Sequence, residues 1–267
     1  MAVRFVMLGD IVGQIGVAAV VSMLPTIRER WQPDMIIANA ENAANGSGLN
    51  TSQYKELIDA GLDGLTLGDH VFKRSKIAAT LEQESNIIRP ANLPTGAAGR
   101  GWMRINTRAQ RPKASLFVTT VLGRVYIDLR ADDPFVAVER VLSQLPEASP
   151  LVIVEVHAEA TAEKAALAHF LDGKVAAVIG THTHVPTADA RILPAGTAFI
   201  SDIGMSGPYH SIIGRQIDRV VKFMTTAMPS PFDVAEKDVR VCGVFIQIDE
   251  STRRATKIER IELPFES

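Results

Sequence analysis

The 267-residue chain has a single cysteine, Cys242. This excludes an intrachain disulfide, fits a reducing compartment and leaves almost no thiolate for a metal-ligand set. Its neighbours Val241, Gly243, Val244 and Phe245 read as a buried strand, so an inert core thiol is expected rather than a nucleophile. An excess of charge is also missing. With 28 Lys and Arg against 30 Asp and Glu, the net charge is −2, which supplies no footprint for duplex nucleic acid. Long apolar runs are absent too. The stretch 11–24 is broken by Gln14 and Ser22 and is too short to span a bilayer. Asp10 interrupts what would have to be the apolar region of a signal peptide. A cytoplasmic protein with no membrane partner is expected. No repeat, low-complexity tract or linker-like break divides the chain, so a single domain over residues 1–267 is expected.

What the sequence does contain is a series of short apolar segments alternating with helical periods. Residues 3–8 form an apolar run entering a loop at Gly9-Asp10, a buried strand. Residues 15–30 read as a helix with Val17, Val20, Val21, Leu24 and Ile27 on one face and Pro33 beyond its end. Strands are expected at 35–38 and 65–67. The helix between them starts at an Asn50/Gln53 capping box and shows Tyr54, Leu57, Ile58 and Leu62 on its apolar face. Helices follow at 77–84 and 135–145, and residues 116–122 and 125–129 read as a hairpin turning at Gly123-Arg124. Near-continuous apolar strands at 151–156 and 175–179 flank a helix at 161–171, and strands at 198–200, 239–248 and 256–261 complete the chain. The pattern predicts an α/β fold with βαβ units first and antiparallel strands afterwards, arranged as a sheet sandwich flanked by helices.

Five motifs fall at strand ends: Gly9-Asp10, Asn39-Ala40-Glu41-Asn42, Gly68-Asp69-His70, His157-Ala158-Glu159 and Gly180-Thr181-His182-Thr183-His184. Ligands in such folds gather at the carboxyl ends of strands, so all five are expected at one end of one sheet. Singly, each has a plain explanation: Asp10 as a helix cap, Glu41 as a solvated loop carboxylate, Asp69-His70 as a surface turn. Jointly, Asp10, Glu41, Asp69, His157, His182 and His184 supply enough nitrogen and oxygen donors for two divalent ions. Three carboxylates with a bridging hydroxide would roughly neutralise such a pair. Without thiolates, Fe, Mn or Zn suits the donor set. Asn42 offers a neutral oxygen ligand or a contact to a phosphoryl oxygen. Glu159 and Thr161 read as helix-start residues, and His169 and His210 lie outside the site. Gly9, Gly13 and Gly16 have the wrong spacing for a dinucleotide loop, and Asp10 would repel a pyrophosphate. A late His-x-His without eight βα repeats does not fit an amidohydrolase barrel.

In this order the motifs resemble the YmdB-like branch of the calcineurin-like metallophosphoesterases. Arg89-Pro90-Ala91-Asn92 and Gly204-Met205-Ser206-Gly207-Pro208 are similar to that family's loops, and the likeness covers essentially the whole chain. The resemblance implies a four-layer αββα sandwich and a binuclear phosphodiesterase acting on 2′,3′-cyclic nucleotides. It places Asp10, Glu41, Asn42 and His184 around one ion. Glu41, Asp69, His157 and His182 surround the other, with Glu41 bridging. His70 is then the acid that protonates the leaving oxygen, and Asn42 also orients the phosphate. The implied cofactors are two divalent or trivalent ions, iron foremost, with manganese or zinc as alternatives. The implied partner is a small phosphoester such as a cyclic nucleotide, and a homo-oligomer stays open. One position departs from the family: Asp69 stands where the family has Asn. Its extra negative charge is expected to make a bridging water less acidic and to weaken attraction for phosphate. The cations Lys73 and Arg74 read first as a solvated helix start, and alternatively as a local offset to that charge. Two alternatives remain, a phosphoesterase of another substrate and a catalytically weak metal- or nucleotide-binding regulatory protein.

Overall fold

Alternation hidden inside nearly continuous apolar strands decides the layering. The computed structural model describes residues 2–106, 115–147 and 150–266. The chain runs through β1 (Ala2–Leu8), β2 (Asp10–Ile11), α1 (Gly13–Trp31), β3 (Met35–Asn39), α2 (Thr51–Asp59), β4 (Gly64–Thr66), α3 (Ile77–Gln83) and β5 (Ile87–Ile88). It continues with β6 (Trp102–Asn106), β7 (Ser115–Leu122), α4 (Pro134–Gln144), β8 (Leu151–His157), α5 (Thr161–Phe170), β9 (Ala177–Thr181), β10 (Arg191–Ile192) and β11 (Ala198–Ile200). The last elements are β12 (Met205–Pro208), α6 (Ile217–Thr226), β13 (Val239–Asp249) and β14 (Ala255–Phe265).

Among the described residues the strands make two sheets. One has the order β2-β12-β13-β1-β3-β4-β5, with β14 paired to β13; the other is β10-β11-β9-β8-β7-β6. Successive side chains point to opposite faces, and three cores result. Val6 and Leu8 of β1 pack with Val17, Val20 and Leu24 of α1 and Leu57 of α2. Phe5 and Met7, one residue out of step, meet Val118 of β7 and Ile153 of β8 between the sheets. Phe117, Val152 and Val154 face Val138 of α4 and Leu167 of α5 on the far side. Helix, sheet, sheet and helix form the expected αββα sandwich. Each large apolar side chain removed from water in these cores contributes about 1.5–3 kcal/mol. The Asn50/Gln53 capping box is present at the start of α2.

Two expectations about pairing fail. Residues 125–129 form no strand, because β7 already has β6 antiparallel on one side and β8 parallel on the other. The second half is also not mainly antiparallel. β7, β8, β9 and β11 run parallel, because α4 connects β7 to β8 and α5 connects β8 to β9 as crossover helices over one face of the sheet. Antiparallel pairing in this part of the chain concentrates on β13, which is bonded to β1, β12 and β14.

No helix among the described residues is long and apolar enough to cross a membrane. Cys242 is buried on β13, as expected, and accepts a hydrogen bond from Tyr209 Oη at 3.0 Å. Burial pushes its thiol up to about 11. Since only the thiolate is nucleophilic, iodoacetamide at about pH 8 should leave the native protein unlabelled and modify it only after unfolding. Intact-mass measurement checks this, and rapid labelling of the folded protein would refute it.

Candidate metal centre

The rows of side chains facing between the sheets turn from apolar to polar at the carboxyl ends of the strands. On β8 the row reads Leu151, Ile153, Glu155, His157; on β9, Ala177, Ile179, Thr181; on β3, Met35, Ile37, Asn39. Asn39 Nδ2 donates to Glu155 Oε1 at 2.7 Å, joining the two sheets through a buried polar contact. Contrary to the sequence expectation, the motifs therefore do not share one sheet. They meet where the carboxyl ends of two stacked sheets converge, because β1, β3 and β4 belong to one sheet and β8 and β9 to the other.

Ligand-type atoms of Glu41, Asp69, His157 and His182 all lie within 4.8 Å of one another. His157 Nε2 is 3.0 Å from Asp69 Oδ1, 3.1 Å from Glu41 Oε1 and 3.0 Å from His182 Nδ1. The opposite nitrogen of each ring is anchored. Thr181 Oγ1 donates to Glu155 Oε1 at 2.7 Å and lies 2.9 Å from His157 Nδ1, so that Nδ1 donates to the hydroxyl. His182 Nε2 lies 3.3 Å from Glu159 Oε2, and His184 Nδ1 lies 2.9 Å from the Ile213 carbonyl oxygen. Carboxylates and carbonyls only accept. In the neutral rings the lone pairs of His157 Nε2, His182 Nδ1 and His184 Nε2 therefore face the cluster.

A second group adjoins the first. Asn42 Nδ2 lies 3.2 Å from His184 Nε2 and 3.4 Å from Glu41 Oε1, while Asn42 Oδ1 accepts from His70 Nδ1 at 2.7 Å. Turning the amide over presents the oxygen to His184 and Glu41 instead. His184 Nε2 is 4.0 Å from Asp10 Oδ2. Glu41 stands between the groups, its Oε2 accepting from the His70 backbone N–H at 3.0 Å. All eight residues singled out in the sequence are thus brought together. His169 and His210 are exposed elsewhere. Arg74 Nη2 donates to the Ala44 carbonyl at 3.1 Å and braces that loop.

Asp10 does not cap a helix: α1 starts after Val12 without a side-chain cap. Asp10 Oδ2 instead accepts from the His182 backbone N–H at 3.0 Å, and Oδ1 is buried with no hydrogen-bond partner. An orphaned buried carboxylate oxygen of this kind fits a cation. So does Gly68, where a Cβ would stand 2.3 Å from His157 Nε2 and 2.4 Å from Glu41 Oε2. Burial pushes Asp10 up to about 7. Burial acts upward on Glu41 and Asp69 too, but interactions with His157 hold both below the usual carboxylate range. On His157 burial acts downward, and Glu41 and Asp69 overrule it, holding the ring well above its ordinary value. The carboxylates thus recruit a proton where they lack another positive charge. A metal ion held by these residues would supply that charge and leave the imidazole lone pair free.

The turn that presents both late histidines is strained. His182 has φ 94° and His184 φ 65°, left-handed values that cost non-glycine residues roughly 1–3 kcal/mol each. Asp202 holds the turn between them: its Oδ2 accepts from Thr183 N at 3.0 Å and from Thr183 Oγ1 at 2.8 Å. Lys164 Nζ donates to the same oxygen at 2.9 Å, with both charges fully buried. Sequence reasoning did not find Asp202 or Lys164. Asp202 follows β11 in Ser201-Asp202-Ile203-Gly204, an acid just past a strand end, as Asp10, Glu41 and Asp69 are. Lys164 gives no such signal, since a helical lysine reads as solvated. Asn39 and Thr181 were visible only as motif neighbours, and Glu155 only as an acid upstream of His157.

The family model for YmdB-like proteins matches residues 6–261. A 2′,3′-cyclic-nucleotide 2′-phosphodiesterase of Bacillus subtilis (strain 168) is 40% identical over 258 residues, covering 97% of this chain and 96% of the relative. A solved structure of a hypothetical protein from Thermus thermophilus superposes with a TM-score of 0.90 at 41% identity, covering 98% of this chain and 100% of that one. The structure of a phosphatase from Mycoplasma pneumoniae gives a TM-score of 0.91 at 32% identity, covering 99% and 94%. Matched along nearly its full length in sequence and in fold, the chain belongs to the YmdB-like family.

Proposed function

We propose that the protein is a two-metal phosphodiesterase that opens 2′,3′-cyclic nucleotides to nucleoside monophosphates. The observation that carries this reading is the convergence of Glu41, Asp69, His157 and His182 on one point, with Asp10, Asn42 and His184 beside it across Glu41. The reaction class, hydrolysis of a phosphoric ester, is supported by the Bacillus subtilis phosphodiesterase and the Mycoplasma pneumoniae phosphatase. Asp10, Glu41, Asn42 and His184 would hold one ion; Glu41, Asp69, His157 and His182 would hold the other. When bound, the ions supply positive charge that neutralises the phosphoryl oxygens and acidifies the attacking water. Their identity among Fe, Mn and Zn follows the donor set of imidazole and carboxylate.

The protein groups do the rest. His70 is partly exposed at the rim. With the Asn42 oxygen turned to the ion, its Nδ2 takes the place 2.7 Å from His70 Nδ1 and donates to it, so the ring's proton sits on Nε2, from which it passes to the departing ribose oxygen. The Asn42 amide orients the phosphate from the same side. Burial of Asp10, Glu41 and His157 keeps bulk water from competing for the ligand atoms. Elemental analysis, combined with assays on 2′,3′-cyclic nucleotides, 3′,5′-cyclic nucleotides and phosphomonoesters, tests the reading. About two ions per chain are expected, with highest kcat/KM on the 2′,3′-cyclic substrates and loss of turnover on chelation. Asp69→Asn removes one negative charge beside the phosphate and should lower KM by about two- to tenfold. Should no phosphoester be hydrolysed with Mn or Fe supplied, the reading fails, and a regulatory metal- or nucleotide-binding role takes its place.

A further inference from the structure

The metal ligands and His70 leave the space beside them unexplained. A cavity of about 520 Å³ opens at Asp69, His70 and His182 and extends to Phe72, Lys73 and Tyr126. That volume suits a small-molecule ligand. Two aromatic rings border it at a cost to the fold. Tyr126 is 85% exposed and Phe72 37%, although such rings ordinarily bury most of their surface.

Tyr126 does not sit on a loose tip. The root of its loop is fixed to the catalytic layer: Gly123 N donates to the carbonyl oxygen of His157 at 3.0 Å. The Glu163 carboxylate accepts from the backbone N–H groups of Arg124 and Val125 at 2.8 and 3.1 Å. A Cβ at Gly123 would lie 2.5 Å from Glu163 Oε2 and 2.6 Å from the Ala158 Cβ, so the root is pressed against the β8–α5 junction. At the far end Leu129 packs on the helix-side core. Between these anchors Tyr126 has φ 62°, a backbone state that favours glycine or asparagine over tyrosine. A strained, anchored and exposed aromatic at the mouth of a reaction site is the pattern of a ligand contact rather than of packing. Phe72, which also lines the cavity, follows His70 by two residues, so its ring position is tied to the same turn as the acid.

We propose that Phe72 and Tyr126 form a stacking platform for the nucleobase of the substrate. The inference rests on the proposed cyclic-nucleotide activity and names the subsite that would distinguish a nucleotide from a plain cyclic phosphate. With the phosphate held by Asn42 and His70, the base lies in the cavity that both rings line. Lys73 on the same wall supplies a cation to the anionic ligand. Every base has a π-face, so the platform accepts purines and pyrimidines alike.

The test compares 2′,3′-cyclic AMP with the methyl riboside 2′,3′-cyclic phosphate, which has the reacting ring and no base. The readout is the ratio of kcat/KM for the two substrates. Removing a base-stacking aromatic costs about five- to a hundredfold. The ratio should therefore fall at least about fivefold in Tyr126→Ala and in Phe72→Ala, chiefly through KM, and Tyr126→Phe should retain it. Unchanged ratios in both alanine variants would overturn the platform. Equilibrium binding of AMP and of inorganic phosphate to the metal-loaded protein separates the two readings. A parent that binds AMP more tightly than phosphate in a Tyr126-dependent way, yet opens no cyclic nucleotide, keeps the platform and sinks the activity. A parent that opens cyclic nucleotides with no preference for a base does the reverse.

Discussion

Glu41→Ala should leave purification with its metal content sharply reduced and phosphoester hydrolysis below about 1% of the parent. Loss of an outer hydrogen-bond partner of a metal ligand already costs about 10–100-fold in affinity or activity, so removing a carboxylate shared by two ligand groups must cost more. Glu41 is that shared residue. Its Oε1 lies 3.1 Å from His157 Nε2 and 3.4 Å from Asn42 Nδ2, and its Oε2 holds the backbone of His70 at 3.0 Å. Alanine removes the charge and also releases the proposed acid. Glu41→Gln separates the two effects, because an amide oxygen can still accept from the His70 N–H while the anionic ligand is gone. Both variants should lose metal in elemental analysis, and the glutamine variant should keep the parent's thermal stability more closely. Metal loading of the parent should also fall as pH drops, since protons and cations compete for the same imidazoles. Two ions per chain and full turnover in either variant would remove the basis for the two-metal reading.

Much of this site was legible because chemistry and strand ends coincide in the sequence. Asp10, Glu41, Asp69, His157 and His182 each lie within a few residues of an apolar run, and the carboxyl ends of buried strands are where such folds place ligands. What periodicity could not supply was the partner of each strand. The run at 125–129 has the composition of a strand, but both sides of β7, its expected hairpin partner, are already paired, and edge availability is a property of the whole sheet. Nor could it show that the motifs come from two sheets. The inward row of β8 passes from Leu151 and Ile153 to Glu155 and His157, and a row that becomes polar at one end is a sign of convergence only once the facing sheet is known. Short-range signals located the candidate ligands, and long-range pairing decided what faces them. The exposed ring of Tyr126 lay inside the segment misread as a hairpin, which is why the cavity wall was missed.

Lys164→Met should destabilise the protein by about 3–5 kcal/mol, the cost of leaving a buried charge without its partner. For a chain of this size that corresponds to a fall in Tm of roughly 6–20 °C. Lys164 and Asp202 are both fully buried, with Nζ and Oδ2 2.9 Å apart. A hydrophobic replacement of similar length keeps the packing against β9 while removing the positive charge, so loss of volume does not explain the effect. The companion variant Lys164→Met/Asp202→Asn removes both charges and retains an acceptor for Thr183 N. It should recover much of the lost stability, since a pair of matched charges is often replaceable at little net cost. Metal content then reports on geometry separately from stability. In the single variant the uncompensated carboxylate has reason to draw in water or a proton, and its hold on Thr183 weakens. The strained turn carrying His182 and His184 can then relax toward negative φ, pulling both rings off the cluster. Reduced metal occupancy in Lys164→Met, restored with stability in the double variant, would show that one buried carboxylate serves both the fold and the site. A single variant within about 1 kcal/mol of the parent would mean that water reaches Asp202 despite its burial, and the turn would then need another support.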